Sequence, residues 1–469
     1  MLSLFKDGRP METSDTTTAS IAALSSGQGP GGIAVIRVSG ADSHKIVRPL
    51  LHFKKKPASF QPEANVLTLC ELLNLNDGTV IDEPLVVFFK APHSFTGENS
   101  LEIHLHGGSW IVRKTLSLLF EAGCRPAKPG EFTLRAFEHG KIDLTKAEGI
   151  KALVEASSEQ EWLAARQLAS GKLFHLIDDV RKTLMNAMAW LEATIDFPDE
   201  GETSAVSDKE IEERVRLAEA SIDRLLASAS SGRIARNGLK VAILGQPNVG
   251  KSTLMNALLQ ENRAIVTAIP GTTRDYLEEK CLINGRLIQL VDTAGLREEG
   301  DEVEKIGMER SLEISKKADL ILGLTARNQG EAGRSWLSNL ASSYQETDVL
   351  FVETKSDLLS SDTPPGYLSI SASTGKGMED LKSKISEIVD AALMKVKGNA
   401  FVTEPRHIHA LGLAKNALSE FWAVKARSGG EEMQAFELLE AARALTSIIG
   451  HIDSDDVLGL IFSTFCVGK

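Results

Sequence analysis

Gly245-Gln246-Pro247-Asn248-Val249-Gly250-Lys251-Ser252 is the stretch that decides the fold of the middle of this chain. It follows the apolar run Val241–Leu244 and opens a stretch of helical character. That strand–loop–helix context turns a G-x-x-x-x-G-K-S match into a phosphate-binding loop. Glycines let backbone N–H groups wrap a β-phosphate at a helix N-terminus, Lys251 brings a charge to the β- and γ-oxygens, and Ser252 can ligate magnesium. The expected contacts run through Asn248, Val249, Gly250, Lys251, Ser252 and Thr253.

Outward from this loop, the other nucleotide elements arrive in order. The segment Thr267, Ala268, Ile269, Pro270, Gly271, Thr272, Thr273 can place Thr273 on magnesium. Asp292, Thr293, Ala294 and Gly295 follow the strand Leu287–Val291, toward metal and γ-phosphate. Thr354, Lys355, Ser356 and Asp357 follow the strand Val349–Val352, where a carboxylate can accept N1–H and the exocyclic amine of guanine; Ser371, Ala372 and Ser373 can support the base through backbone. The nucleotide is expected to be GTP. Two positions depart from common usage: Thr354 stands where Asn is usual, so guanine specificity is expected with modest affinity. Leu296 stands where many GTPases carry the glutamine that orients water.

Residues 239–392 alternate short apolar strands (also Leu320–Leu324) with helical stretches, the pattern of a parallel sheet with covering helices. Upstream, Leu173, Ile177, Val180, Leu184, Met188, Leu191 and Ile195 recur at spacings of three and four, one stripe of a long helix. Helical periodicity returns at 406–425, 431–449 and 454–465. Runs at Ile33–Val38 and Leu85–Lys90 read as strands. The fold expectation is multidomain: leader 1–20, α+β N-terminal domain 21–125, all-α helical domain 126–235 and 393–469, and an α/β P-loop GTPase domain 236–392 inserted into it.

With 469 residues, 42% hydrophobic and 25% charged, the chain has ample apolar material for several cores. No window reaches the roughly 18 apolar residues of a membrane span. A net charge of −12 argues against a broad phosphate-binding surface, leaving Lys54-Lys55-Lys56 and Arg233–Arg236 as local patches or plain solvated charge. Cys70, Cys124, Cys281 and Cys466 form no C-x-x-C pair, which suits a reducing cytoplasm. Cys466 reads either as a thiolate or as an incidental residue, and His104 and His106 lack a visible third metal ligand.

Ser94-Phe95-Thr96-Gly97-Glu98, Lys128-Pro129-Gly130-Glu131-Phe132, Ala193-Thr194-Ile195-Asp196-Phe197-Pro198, Asp292–Arg297 and the terminal Cys466-Val467-Gly468-Lys469 carry a resemblance. Over almost its whole length, from about Ile21 to Lys469, the chain resembles the tRNA-modification GTPases called MnmE or TrmE. The resemblance implies an N-terminal domain that dimerises and binds a tetrahydrofolate derivative, 5-formyl- or methylene-tetrahydrofolate, with Arg37, Glu102, Lys141 and Lys469 at the folate. It implies a homodimer in a heterotetramer with a flavoprotein, MnmG or GidA, that uses FAD and NADH. The pair adds a carboxymethylaminomethyl or aminomethyl group to C5 of wobble uridine in tRNA. It also implies potassium held by Asn248, Thr267, Ile269 and Thr272, and Glu304 as the carboxylate that activates water, with Cys466 in the catalytic tail. The competing reading, a ribosome-assembly or RNA-binding GTPase switch, would be marked by a basic RNA-binding module, and none is visible after residue 392.

Overall fold

The computed structural model describes residues 19–27, 29–57, 59–196, 208–262, 278–291, 315–344, 347–358, 363–398, 400–427, 429–450 and 455–468. They form two compact units, one from the chain up to Ala147 together with Gly450 onward, the other from Glu148 to Ile449.

The first unit is built on strands β1 (Ile21–Leu24), β2 (Gly31–Ser39), β4 (Thr68–Leu69), β7 (Leu85–Phe89), β8 (Ser100–Gly107) and β9 (Arg125–Pro126), in the sheet order β4-β7-β8-β2-β1-β9. A small sheet of β3 (Leu51–His52), β5 (Glu71–Leu73) and β6 (Val80–Asp82) sits beside it. Side chains alternate along β2, so Ala34, Ile36 and Val38 are buried while Val35 and Arg37 are half-buried on the other face. The buried face packs with Leu101, Ile103 and Leu105 of β8, with helix α1 (Ser43–Val47) through Val47, and with Leu118 and Leu119 of α2 (Ser109–Glu121). Helix α3 (Glu131–Glu138) starts at Gly130, whose φ of +67 suits glycine, and sets Phe132 among Ile21, Ala23 and Ala127. The helix Asp455–Ser463 contributes Phe462, which packs with Phe465, Leu144 and Ala147.

This grouping differs from the expected boundary at 125/126 and from the expected helical domain that includes 450–469. Residues 126–147 and 450–468 belong to the N-terminal unit. Helical periodicity states that one face is apolar, not which core receives it.

Among the described residues the second unit holds two large cores and a small third cluster around Phe401. Helices α4 (Leu144–Glu155), α5 (Glu159–Ala169), α6 (Lys172–Asp196) and α7 (Asp208–Ala227) precede the α/β part, and Pro405–Ala426 and Glu431–Ile449 follow it. The expected stripe of α6 is buried at Leu173, Ile177, Val180, Leu184 and Leu191, facing Ile211, Val215 and Ile222 of α7 and Leu438 and Leu445 of the last helix. Between them, α8 (Ala229–Asn237) leads into β10 (Leu239–Gly245), α9 (Lys251–Asn262), β11 (Glu278–Ile283), β12 (Arg286–Val291), β13 (Leu320–Ala326), β14 (Asp348–Thr354) and β15 (Tyr367–Ser369). The sheet order is β11-β12-β10-β13-β14-β15; only the β11–β12 pairing is antiparallel. Every residue of β13 is buried, as expected of a parallel strand covered on both faces. The α/β part is therefore inserted between helical segments that share one core.

Candidate functional site

In the α/β part, chemistry gathers at the carboxyl ends of the strands, where doubly wound sheets bind ligands. The loop from Gly245 to Gly250 leaves β10, and Asn248 and Gly250 take φ of +61 and +98. A Cβ on Gly245 would lie 2.7 Å from the Leu324 carbonyl, so only glycine lets β10 end this close to β13. Val249 is fully buried and anchors the loop, while Ser252 and Thr253 are exposed in the first turn of α9. Lys251 Nζ donates to the carbonyls of Gly245 at 2.8 Å and Gln246 at 3.0 Å, which folds its charge across the loop. Glycine backbone, an ammonium and a serine hydroxyl at a helix N-terminus fit a magnesium–nucleotide phosphate chain.

The base-reading segment is tied directly to that loop. Thr354 Oγ1 donates to the Val249 carbonyl at 2.5 Å and lies 3.3 Å from the Thr325 carbonyl. The hydroxyl expected at the base is thus spent on the phosphate loop. Lys355 Nζ donates to the Asn248 carbonyl at 2.7 Å. Asp357 is exposed, and a hydrogen bond from Ser371, with a smaller one from its own backbone, holds its carboxyl below the usual range. An ionised carboxylate there is the acceptor pair that guanine needs. Ser356 N donates to the Ile370 carbonyl, and the Ser371 and Ser373 hydroxyls share a hydrogen bond of 3.0 Å, so the two base loops, including Ala372, form one surface. Thr267, Ala268, Ile269, Pro270, Gly271, Thr272, Thr273, Asp292, Thr293, Ala294, Gly295 and Glu304 lie outside the described residues.

The N-terminal unit assembles a second constellation. Arg37 of β2 and Glu102 of β8 are register partners, and the guanidinium donates to Glu102 Oε1 at 2.8 and 3.1 Å. The guanidinium also lies over the rings of Phe95 and Phe132, at 5.5 and 5.8 Å from their centres. The loop bearing Phe95 is pinned where His139 Nδ1 meets the Thr96 carbonyl and where Lys141 Nζ donates to the Pro92 carbonyl at 2.9 Å. Arg37, Glu102 and Lys141 therefore flank one loop. The C-terminal segment docks nearby: Gly130 N donates to the Cys466 carbonyl at 3.3 Å, and Ser25 Oγ donates to the Gly468 carbonyl at 2.9 Å. A Cβ on Gly468 would sit 2.1 Å from the Leu24 carbonyl, so the tail lies flat on β1. Lys469 lies outside the described residues.

Sequence reasoning left Ser94–Glu98 and Lys128–Phe132 without a role, and the structure supplies one. Arg135, almost wholly buried, donates to Glu98, Glu131 and the Ala19 carbonyl, and Glu98 also accepts from Ser39. That network holds the loop and the start of α3 against the sheet. Cys466 is exposed, whereas burial pushes the thiols of Cys70 and Cys281 up to about 12 and that of Cys124 to about 11. His104 Nε2 is 3.4 Å from Glu102, and His106 Nδ1 is 2.7 Å from Asp82; among the described residues no group of three such side chains could hold a metal. Part of the basic clusters is paired: Lys54 with Glu71 and Glu83, Arg233 with Asp319 and Arg236 with Glu404. Among the described residues no helix is long and apolar enough to cross a membrane.

Comparison with known proteins agrees with this layout. The family model described as MnmE helical domain matches residues 144–466, and that described as GTP-binding protein TrmE N-terminus matches residues 20–141. A tRNA modification GTPase MnmE of Natranaerobius thermophilus is 38% identical over 464 residues, covering 97% of this chain and 100% of that protein. Those of Aquifex aeolicus and Thermus thermophilus are 38% and 37% identical, each covering 96% of this chain and 99% of its own length. A solved structure of the FeoB G-domain from Methanococcus jannaschii aligns with 32% of this chain and 98% of its own, at 25% identity and a TM-score of 0.25. With family models over both units and relatives matched end to end, the chain belongs to the MnmE family of tRNA modification GTPases.

Proposed function

We propose that this GTPase, paired with an MnmG or GidA flavoprotein carrying FAD and NADH, installs a carboxymethylaminomethyl or aminomethyl group on C5 of wobble uridine. The observation that carries the reading is the half-open Arg37–Glu102 pair, ringed by Phe95 and Phe132 beside the docked C-terminal tail. The donor set fits a reduced folate: a carboxylate accepts from a pterin edge, rings pack on its face, and Lys141 and Lys469 suit the acidic tail. A folate bound there supplies the one-carbon unit. Arg37 holds Glu102 aimed; the Glu98–Arg135–Glu131 network fixes the wall; the tail brings Cys466 alongside.

In the α/β part, Lys251 and the loop backbone bind the β-phosphate, Ser252 and Thr273 hold magnesium, and Asp357 selects guanine. Leu296 offers no group to orient water, and the family resemblance gives that role to Glu304; Asn248, Thr267, Ile269 and Thr272 would hold a potassium ion, which would supply positive charge near the β- and γ-phosphates. Two copies act together in the cytoplasm. An exposed apolar edge on the first unit, Val66, Leu67 and Leu69 beside Leu85, supports the homodimer, because an uncovered strand edge of this kind pairs readily. Steady-state GTP hydrolysis by wild type and Glu304→Ala, each in potassium and in sodium, tests the reading. Wild type is expected to turn over faster in potassium, and Glu304→Ala to lose about 10²–10⁴ in rate with nucleotide binding retained. Equal rates in the two salts, or an unimpaired variant, would defeat it.

A further inference from the structure

The hairpin of β11 and β12 joins both switch sequences. β11 begins three residues after Asp275, and β12 ends at Val291, directly before Asp292. Its closed end is a two-residue turn, Asn284-Gly285, with φ of +50 and +74, the tight type whose twist keeps the two strands in register. The hairpin is thus a stiff bar with a switch segment attached to each strand at one end.

The other end is gripped by helix α5, and the grip rests on one buried side chain. Gln160 is only 4% exposed. Its Nε2 donates to the Ile234 carbonyl at 2.5 Å, at the end of α8, and its Oε1 accepts from Leu287 N at 3.3 Å, in β12. At this point β10 has only begun: Gly238 takes φ +88, and a Cβ there would lie 2.7 Å from the Leu287 carbonyl. The amide therefore does what a further residue of strand would do, giving the Leu287 N–H an acceptor where the ladder supplies none. Beside it, Glu161 Oε1 pairs with Lys280 Nζ of β11 at 3.3 Å, so α5 holds both strands. Arg286 at the turn donates to Asp390 at 2.5 Å, which fixes the turn to the helix Met378–Met394. Helix α5 in turn belongs to the helical core through Leu168.

We propose that Gln160 is a positioning residue for GTP hydrolysis, seconded by the Glu161–Lys280 pair: acting through the hairpin, α5 sets the position of β12, whose last residue, Val291, directly precedes Asp292. The inference rests on the GTPase activity of the family and on neither the potassium nor the folate reading. Gln160 touches no part of the phosphate loop, so its loss changes turnover while leaving ground-state nucleotide affinity in place. A merely structural glutamine would lower both together or neither.

The test uses the full-length chain with Gln160→Leu, which keeps the shape and deletes both hydrogen bonds, and Lys280→Met, which removes the ion pair while Glu161 keeps its hydrogen bonds from Ser157. Steady-state GTP hydrolysis, GDP affinity by titration and a thermal melt are read for each. The expected result is a fall in kcat of about 2- to 30-fold for Gln160→Leu and a smaller fall for Lys280→Met, with GDP affinity within about 2-fold of wild type. Wild-type kcat in both variants would overturn the proposal. So would a parallel loss of kcat and GDP affinity. Should Gln160→Leu fail to fold, Lys280→Met alone decides: reduced kcat at unchanged GDP affinity supports it, and unchanged kcat overturns it.

Discussion

Each of the two six-stranded sheets carries an arginine–glutamate pair, and the pairs differ in what surrounds them. Arg327, directly after β13, meets Glu353 of β14 at 2.7 Å with side chains 5% and 1% exposed. Its Nη2 also donates to Ser369 at 2.8 Å and Thr363 at 3.1 Å, and Glu353 also receives Arg334. Arg37 and Glu102 sit across β2 and β8 at a similar distance, 2.8 Å, but with side chains 24% and 21% exposed. Their neighbours are two aromatic rings and a histidine 3.4 Å away rather than a closed ring of polar partners. A buried pair closed in by polar partners holds strands together, whereas a half-open pair retains capacity for a ligand. The parallel sheet, covered on both faces, moves its chemistry to the loops beyond its strands. The N-terminal sheet, antiparallel except where β1 meets β9, leaves one face for chemistry.

Breaking the buried pair is the severest test of that contrast. Glu353→Ala strands the Arg327 guanidinium in the core and is expected to cost about 3–5 kcal/mol of stability, measured by urea denaturation. A loss below about 1 kcal/mol would mean the pair is no more structural than an exposed one.

A second buried cluster sharpens the comparison through pH. Glu148 accepts from His407 Nε2 at 2.9 Å and from Arg406 at 3.0 and 3.1 Å, and Arg406 also caps the Ser447 and Ile448 carbonyls. Burial drives the Glu148 carboxyl up but is outweighed by His407 and Arg406, so it is held below the ordinary carboxylate value. Stability from this group is therefore present above about pH 4.3, the unfolded glutamate value, and is lost as pH falls through the lower folded value. Thermal melts between pH 3 and 6 are expected to show wild type losing more stability on acidification than Glu148→Gln. Parallel curves would contradict this.

How far the residues alone lead follows the same division. In the parallel sheet the functional side chains sit in contiguous loops, so the Gly245–Ser252 spacing and the Thr354–Asp357 run were legible before any fold was known. The stripe of α6 was equally plain, because burial repeats with the helical period. On the antiparallel face, Arg37 and Glu102 lie 65 positions apart and become partners only through register. Periodicity shows an inward face but not the strand opposite, so family resemblance alone pointed to them. Gln160 was invisible for a similar reason: a lone glutamine on a helix has no motif, and its role appears only once α8 and β12 flank it. The tail's docking depends on Gly130 and Gly468, whose need for glycine is a property of the packed backbone.

The smallest effect on stability, and the sharpest separation of the two pairs, is expected for Glu102→Ala. Exposure limits its cost to about 1 kcal/mol or less. Loss of a charged acceptor is expected to weaken 5-formyltetrahydrofolate binding roughly 10- to 100-fold in calorimetry, with GTP hydrolysis retained. Unchanged folate affinity would remove Glu102 from the site.

The central claim is that the two sites serve one reaction on tRNA. It is tested most directly by nucleoside mass spectrometry of tRNA from cells lacking this protein, complemented with wild type, Lys251→Ala or Glu102→Ala. Wild type is expected to restore the C5 substituent of wobble uridine, and neither variant to restore it fully. A substituent that persists without the protein, or that returns undiminished with both variants, would contradict it.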